Sequence, residues 1–174
     1  MYIVDCTVLL MQKIDDSDDF DRFWDEFKAG FGDVHGNYWL GNDQIHQLTK
    51  DGDYKLRLDM EAEHDTTSQL AWFWAEYATF IVDSEATNYT VLIDGYSGDA
   101  GDPLSAINGT QFSTFAWYDG YYLENCADYY YGGFWHTDDC SGCYPTGGVG
   151  YFYCNTLPSA QNLLTTSQIW LLCK

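Results

Sequence analysis

The loss of periodicity near residue 95 limits the folds available to this chain. Up to that point the apolar side chains follow helix-like and strand-like spacing, whereas Gly, Asp, Ser and Tyr dominate from there to about residue 155. A long segment without regular elements needs other restraints to stay ordered. Cysteines are concentrated in that half, at Cys126, Cys140, Cys143 and Cys154. The sequence therefore predicts a regular platform over about 1–95 and a loop-rich, disulfide-braced part over about 96–174.

Two helices are predicted in the platform. The segment 17–30 has aromatic side chains at the spacing of one helical face, a capping side chain at Ser17 or Asp18, and Gly30 at its end. A second helix begins at Asn42 or Asp43 and turns apolar side chains inward. The aromatic positions of the first helix are Phe20, Phe23, Trp24 and Phe27, and the apolar positions of the second are Ile45 and Leu48.

Strands are predicted on both sides of the second helix. Apolar and charged side chains alternate over 54–61, which is the period of a half-buried strand. Further strands are expected over 77–82 and 89–93, and the apolar segment 1–16 is interpreted as a strand rather than a signal peptide. An antiparallel sheet preceded by short helices gives an α+β fold class.

Charge and cysteine content limit the partners and the compartment. With 27 acidic against 7 basic residues, the net charge of −20 repels nucleic acid and anionic membranes. No apolar run is long enough to insert into a membrane. The six cysteines and the glycosylation sequons at Asn88 and Asn108 favour a secreted, extracellular protein.

Several motifs together resemble one known module. EFKAGFG, NYWLGNDQIHQLT, YKLRLD, YSGDAGDPL, FST, NCA and GGFW occur in this order over about residues 12–140. They resemble the fibrinogen C-terminal domain that is shared by fibrinogen, ficolins, tachylectins, tenascins and angiopoietins. The resemblance implies a central antiparallel sheet with short flanking helices and a loop-rich C-terminal part. It also implies truncation at both ends, without the N-terminal disulfide-closed subdomain and without the last strand that returns to the sheet.

The resemblance implies a calcium loop that is degenerate here. Counting back from NCA, the family's two carboxylate positions fall on Tyr118 and Gly120, and its two carbonyl positions fall on Tyr122 and Glu124. Asp119 is the single acid near them, and one acid is too few for firm calcium binding. Calcium is therefore a possible cofactor without its family carboxylates, and no other cofactor is predicted.

A ligand pocket beside a disulfide is the second implication. In acetyl-recognising relatives this pocket adjoins a bridge that matches Cys126–Cys140, and a cis peptide bond precedes the second cysteine, here Asp139–Cys140. Tyr130 takes the place of a pocket aromatic, and Ser141 replaces the pocket histidine. The predicted ligand-binding residues are therefore Tyr130, Asp139, Cys140 and Ser141.

Alternatives remain for the cysteines. Cys143 can pair with Cys154, and Cys6 with Cys173, although sequence alone does not determine connectivity. Cys140 and Cys143 form a CxxC which, with His136 and Cys154, could instead hold zinc.

The resemblance implies a recognition module, and no nucleophile elbow, phosphate loop or HExxH motif suggests an enzyme. The leading hypothesis is a lectin-like module that binds acetylated glycans in innate immunity. The alternative is a protein-binding module of adhesion, matrix or signalling proteins. The run Tyr129, Tyr130 and Tyr131 fits either a binding surface or a structural cover over the disulfide. The ligand and the oligomeric state are open.

Overall fold

The first half of the chain contains strands and short helices close to the positions that the sequence predicts. In the computed structural model, the described residues are 3–4, 6–17, 20–63, 69–115, 117–118, 121–122, 125–158 and 162–174. The first half of the chain contains the strands β1 (Ile3–Val4), β2 (Thr7–Lys13), β3 (Phe31–Gly32), β4 (Tyr38–Trp39), β5 (Tyr54–Glu63), β6 (Leu70–Val82) and β7 (Val91–Gly98), and the helices α1 (Trp24–Ala29) and α2 (Asn42–Thr49).

The second half contains short elements until its last strand. They are β8 (Phe112–Ser113), β9 (Trp117–Tyr118), β10 (Tyr121–Tyr122), α3 (Cys126–Tyr130), β11 (Phe134–Trp135), β12 (Cys143–Tyr144) and β13 (Tyr153–Cys154), followed by the long strand β14 (Leu164–Cys173). The short strands pair as β8 with β11, β9 with β10 and β12 with β13. Two-residue ladders contribute few hydrogen bonds, so this part of the fold depends on packing and disulfides.

One antiparallel sheet organises the described residues. Its strand order is β3-β4-β2-β14-β5-β6-β7, with β1 paired to β2 beside this row. The predicted alternation in β5 is confirmed, because Leu56, Leu58 and Met60 are buried while their neighbours are half-buried. Adjacent strands β5, β6 and β7 form the expected meander.

The last strand corrects one expectation. A missing return strand was expected, but β14 lies in the middle of the sheet between β2 and β5. Its Leu171 pairs with Val8 on one side and Leu56 on the other. Ser167, Ile169 and Leu171 are buried, so every second side chain faces the core. This alternation explains why the segment is a strand.

The first helix is shorter than predicted. It starts at Trp24 rather than near Ser17, and the backbone N–H of Phe23 donates to the Glu26 carboxylate at 3.1 Å. Phe23 consequently lies before the helix and is 55% exposed, instead of on the buried face. The predicted end is confirmed, since the Gly30 N–H donates to the Glu26 carbonyl at 2.8 Å.

Residues 37–49 are scaffold. Trp39, Leu40 and Ile45 are buried, and the Trp39 Nε1–H donates to the Phe27 carbonyl and to the Asn42 side chain. The Trp39 ring also packs 5.6 Å from that of Phe112, between the centroids. This core joins α1, α2 and the loop-rich half.

None of the described helices is long and apolar enough to cross a bilayer.

Candidate recognition surface

Disulfides brace the loop-rich half. The bridges join Cys126 to Cys140, Cys143 to Cys154, and Cys6 to Cys173. The second bridge links residues directly opposite each other in the β12–β13 ladder. Because every cysteine is in a disulfide, the proposed zinc cluster has no thiolate to offer.

Helix α3 positions the tyrosines beside the first bridge. The Asn125 side chain caps it by accepting the Asp128 N–H at 3.0 Å. Tyr131 ends it in the left-handed conformation, at φ 55°. The chain then returns across Gly132, where an added Cβ would lie 2.3 Å from the Thr146 carbonyl oxygen. This close crossing fixes α3 against the loop that follows β12.

The predicted ligand residues Asp139 and Ser141 lie in a turn whose polar side chains hydrogen-bond to one another. The Asp139 carboxylate accepts hydrogen bonds from the Thr137 and Ser141 hydroxyls, both at 2.8 Å, and these bonds lower the Asp139 pKa. The expected cis bond before Cys140 is wrong, since the described residues contain no cis peptide bond. The direction of the chain changes instead through Cys140 itself, which has φ 51° and donates its N–H to the Thr137 carbonyl.

Tyr130 lines an open groove beside the bridge, but most of the residue is buried. Its ring stacks on Tyr144 with 3.8 Å between the centroids, and 9% of the residue is exposed. The Tyr130 hydroxyl donates to the Cys140 carbonyl at 2.8 Å. Both the ring face and the hydroxyl therefore hold the bridge in place, which leaves little of Tyr130 for an acetyl group.

An open groove lies between the bridge and the segment 106–113. Its volume is about 1080 Å³, with Asn108 and Gly109 on one wall and Tyr129 and Cys140 on the other. His136 lines its floor and is 9% exposed. The His136 Nε2–H donates to the Gly132 carbonyl at 3.1 Å, since a carbonyl only accepts. Within the described chain, His136 Nδ1 has no hydrogen-bond partner, and burial lowers the His136 pKa to about 4.

Beside the groove stands a group of surface side chains, the tyrosine ridge: Tyr129, Tyr131 and Val149, which are exposed, and Tyr151, which is half-buried. The Tyr151 ring lies 5.5 Å from that of Tyr129 and 5.7 Å from that of Tyr131, between centroids. Tyr129, Tyr131 and Val149 are 62%, 49% and 76% exposed. The sequence pointed to this region through its consecutive tyrosines, but it gave no signal for Val149.

The ridge has a rigid base. The Gly148 N–H donates to the Tyr130 carbonyl at 2.8 Å, which ties the loop of Val149 and Tyr151 to α3. An added Cβ on Gly148 would approach the Tyr131 Cβ to 2.7 Å, so the two segments are in close contact. The tyrosine rings are therefore held before any partner arrives.

Comparison with known proteins identifies the family. The protein-family model described as "Fibrinogen beta and gamma chains, C-terminal globular domain" matches residues 5–170 of this chain. The chain belongs to the fibrinogen C-terminal domain family. The chain is 38% identical to human angiopoietin-related protein 2 over 128 residues, which are 74% of this chain and 25% of that protein. It is 35% identical to chicken tenascin over 129 residues, which are 74% of this chain and 7% of tenascin.

A solved structure agrees with the sequence comparison. The fibrinogen-like globe domain of human ANGPTL2 aligns with a TM-score of 0.76 and 30% identity, covering 95% of this chain and 79% of that one. The predicted family and fold class are therefore confirmed. Fibrinogen C-terminal domains are recognition domains and not enzymes, and the related proteins are extracellular. Three disulfides agree with an oxidising compartment.

The calcium loop and the two glycosylation sites of this fibrinogen C-terminal domain remain predictions. In the degenerate calcium loop, Asp119 and Glu124 lie outside the described residues, while Tyr122 belongs to β10. Both sequon asparagines are exposed, as a glycan requires. The Asn88 Nδ2 donates to the Gln111 side chain at 3.2 Å, and the Asn108 Oδ1 accepts the Ile93 N–H at 3.0 Å.

Proposed function

We propose that this domain acts outside the cell by binding a protein partner through the tyrosine ridge. The observation that carries the proposal is the packing of the exposed Tyr129 and Tyr131 rings against the half-buried Tyr151 ring on a fixed base. Tyrosines are enriched among the residues that dominate protein interfaces, because a large ring is buried at a small loss of side-chain entropy. We infer that the domain serves in an adhesion, matrix or signalling protein.

The charge of the chain indicates what the partner surface looks like. The net charge is −20, and Asp128 lies next to the ridge while Asp138 lines the adjoining groove. A partner with an apolar centre and a rim of lysine or arginine would complement both features. Such a partner would also associate faster at low ionic strength, because the opposite charges attract over a longer distance.

Acetylated glycans are the second candidate, with the groove as their site. The volume of the groove, about 1080 Å³, favours this alternative, because pockets that hold small molecules measure roughly 300–1,000 Å³. Two observations weigh against it: the Tyr130 ring stacks on Tyr144, and Asp139 Oδ1 already accepts the hydroxyls of Thr137 and Ser141. A lectin of innate immunity would be retained on immobilised N-acetylglucosamine, and we expect no retention with or without a calcium chelator.

Binding to decellularised extracellular matrix separates the two candidates. The fluorescently labelled domain is applied to matrix that has been pretreated with trypsin, with a mixture of endoglycosidases, or with buffer. We expect trypsin to abolish binding and the endoglycosidases to leave it unchanged. Loss after endoglycosidase treatment alone would overturn the proposal in favour of a glycan.

Matched variants locate the binding surface. In the domain produced without N-linked glycans, each of Tyr129→Ala and Tyr131→Ala is expected to weaken binding about 30-fold, which corresponds to about 2 kcal/mol for a residue at the centre of an interface. Leu92→Ala is the control, because Leu92 is 48% exposed, as Tyr131 is at 49%, but lies on strand β7. Equal losses for the Leu92 and Tyr131 variants would contradict the assignment of the ridge.

A further inference from the structure

The second sequon is held firmly at the wall of the groove. A turn of 3-10 helix, Ser105–Ile107, leads directly into Asn108. The backbone around it is fixed to β7, since the Gly109 N–H donates to the Val91 carbonyl at 2.8 Å and the Val91 N–H donates to the Thr110 carbonyl at 3.0 Å. The position of Asn108 relative to the groove is therefore a stable property of the fold.

The Asn108 amide is oriented for modification. Its Oδ1 accepts the Ile93 N–H at 3.0 Å, so Nδ2, on the other side of the amide carbon, is directed away from that strand. In the described part of the chain, no hydrogen bond engages Asn108 Nδ2. The adjoining Gly109 faces open space, because an added Cβ there would meet no atom within 4 Å. Asn108 itself is exposed.

The same residues form the groove. Asn108, Gly109 and Thr110 all line it, opposite Tyr129 and Cys140. The groove measures about 1080 Å³, at or above the roughly 300–1,000 Å³ of pockets that hold small molecules. There is room for the first sugars of a glycan attached to one wall.

We propose that Asn108 carries an N-linked glycan whose first sugars lie in the groove and cover the Tyr129 side of it. In the attachment, Asn108 Nδ2 forms a bond to the anomeric carbon of a lipid-diphosphate-linked oligosaccharide. The bond from that carbon to the diphosphate oxygen breaks, the lipid diphosphate leaves, and Nδ2 loses one proton. This proposal rests on the extracellular location in the proposed function.

Asn88 provides an internal contrast. It is also exposed and also begins a sequon, but it does not line the groove, and its Nδ2 donates to the Gln111 side chain. Gln111 lines the groove whereas Asn88 does not, so a glycan at Asn88 starts outside the groove rather than on its wall. The two sequons therefore differ in their expected effect on the groove, although their sequence motifs are equivalent.

The functional consequence is a division of the surface. The glycan closes the groove to other ligands, whereas Tyr131, Val149 and Tyr151 stay available, because none of them lines the groove. Tyr129 belongs to both the ridge and the groove wall. The reactivity of Tyr129 relative to Tyr131 thus reports whether the groove is covered.

The test uses the full chain secreted from a eukaryotic host. Peptide mass spectrometry after PNGase F treatment in heavy-oxygen water determines whether Asn108 carries a glycan. The folded protein is then nitrated with tetranitromethane before and after enzymatic removal of the glycans. We expect Asn108 to be modified, Tyr129 to be nitrated several-fold faster after glycan removal, and Tyr131 to react at the same rate in both samples.

Variants separate the two sequons. Thr110→Ala should make Tyr129 reactive without any enzyme treatment, whereas Thr110→Ser, which keeps the sequon, and Asn88→Gln should behave as the parent. An unmodified Asn108, or a Tyr129 rate that does not change with glycan removal, overturns the proposal. Neither result affects the ridge, whose test is the loss of matrix binding by Tyr131→Ala in the glycan-free protein.

Discussion

Removing the Cys126–Cys140 bridge tests whether disulfides hold the loop-rich half in place. We expect Cys126→Ser combined with Cys140→Ser to lower the free energy of unfolding. The two cysteines are 14 residues apart, and opening a loop of that length costs about 3 kcal/mol at 25 °C in the chain-entropy model. Cys126 is buried, so the lost sulfur contacts add to this value.

The bridge between the chain ends provides the comparison. Cys6 and Cys173 are 167 residues apart, and the same model gives about 5 kcal/mol for removing their bridge. Both cysteines are exposed, so replacing them with serine removes the cross-link and little packing.

Urea denaturation followed by tryptophan fluorescence measures both losses by linear extrapolation. The expected order is a larger loss for the variant without Cys6–Cys173 than for the variant without Cys126–Cys140. The reverse order would refute the entropic reasoning, and an unchanged midpoint for Cys126–Cys140 would show that the loops need no brace there.

Three further outcomes follow from the site. Gly148→Ala forces its Cβ against Tyr131 and should destabilise the protein by about 1–3 kcal/mol. The control Gly36→Ala should be neutral, because its Cβ would be 3.9 Å from the nearest atom, and an equal loss would contradict the close packing. Burial lowers the His136 pKa to about 4, below its value of about 6.5 in the unfolded chain, so the stability that neutral His136 provides is present above pH 6.5 and is lost as the pH falls towards 4. His136→Phe should flatten this pH dependence of the urea midpoint, and an unaltered slope would assign it to other groups. Added calcium should leave the thermal midpoint unchanged, and a dose-dependent increase would show that the loop around Asp119 binds the ion.

The platform was predictable because its signals are local. The alternation in β5 and the start of α2 at Asn42 are each set by about ten residues, and the structure agrees with both, although Gly41 rather than a side chain of Asn42 or Asp43 caps the helix. Strand β14 was missed because its partners Val8 and Leu56 lie more than 100 residues away in the chain. The position of a strand in a sheet depends on such distant pairings, and it cannot be predicted from the residues of that strand alone.

The candidate site was predictable only in part. Three consecutive tyrosines look alike in the sequence, yet Tyr130 is buried against Tyr144 while Tyr129 and Tyr131 are exposed. The short helix α3 decides this, because successive residues on a helix point in different directions. The turn at Asp139 is predicted to present ligand atoms, and in the structure one carboxylate oxygen, Oδ1, already accepts the hydroxyls of Thr137 and Ser141. Such local hydrogen bonds depend on backbone angles that the sequence does not specify.

Photocrosslinking from the ridge tests the central claim most directly. The domain carries benzoylphenylalanine in place of Tyr131 or, as a control, in place of Leu92, and is irradiated on extracellular matrix. The account predicts protease-sensitive adducts from position 131 that unlabelled parent domain suppresses and the Tyr129→Ala/Tyr131→Ala variant does not. Adducts of equal yield from position 92, or adducts that only glycosidases remove, would contradict recognition of a protein through the ridge.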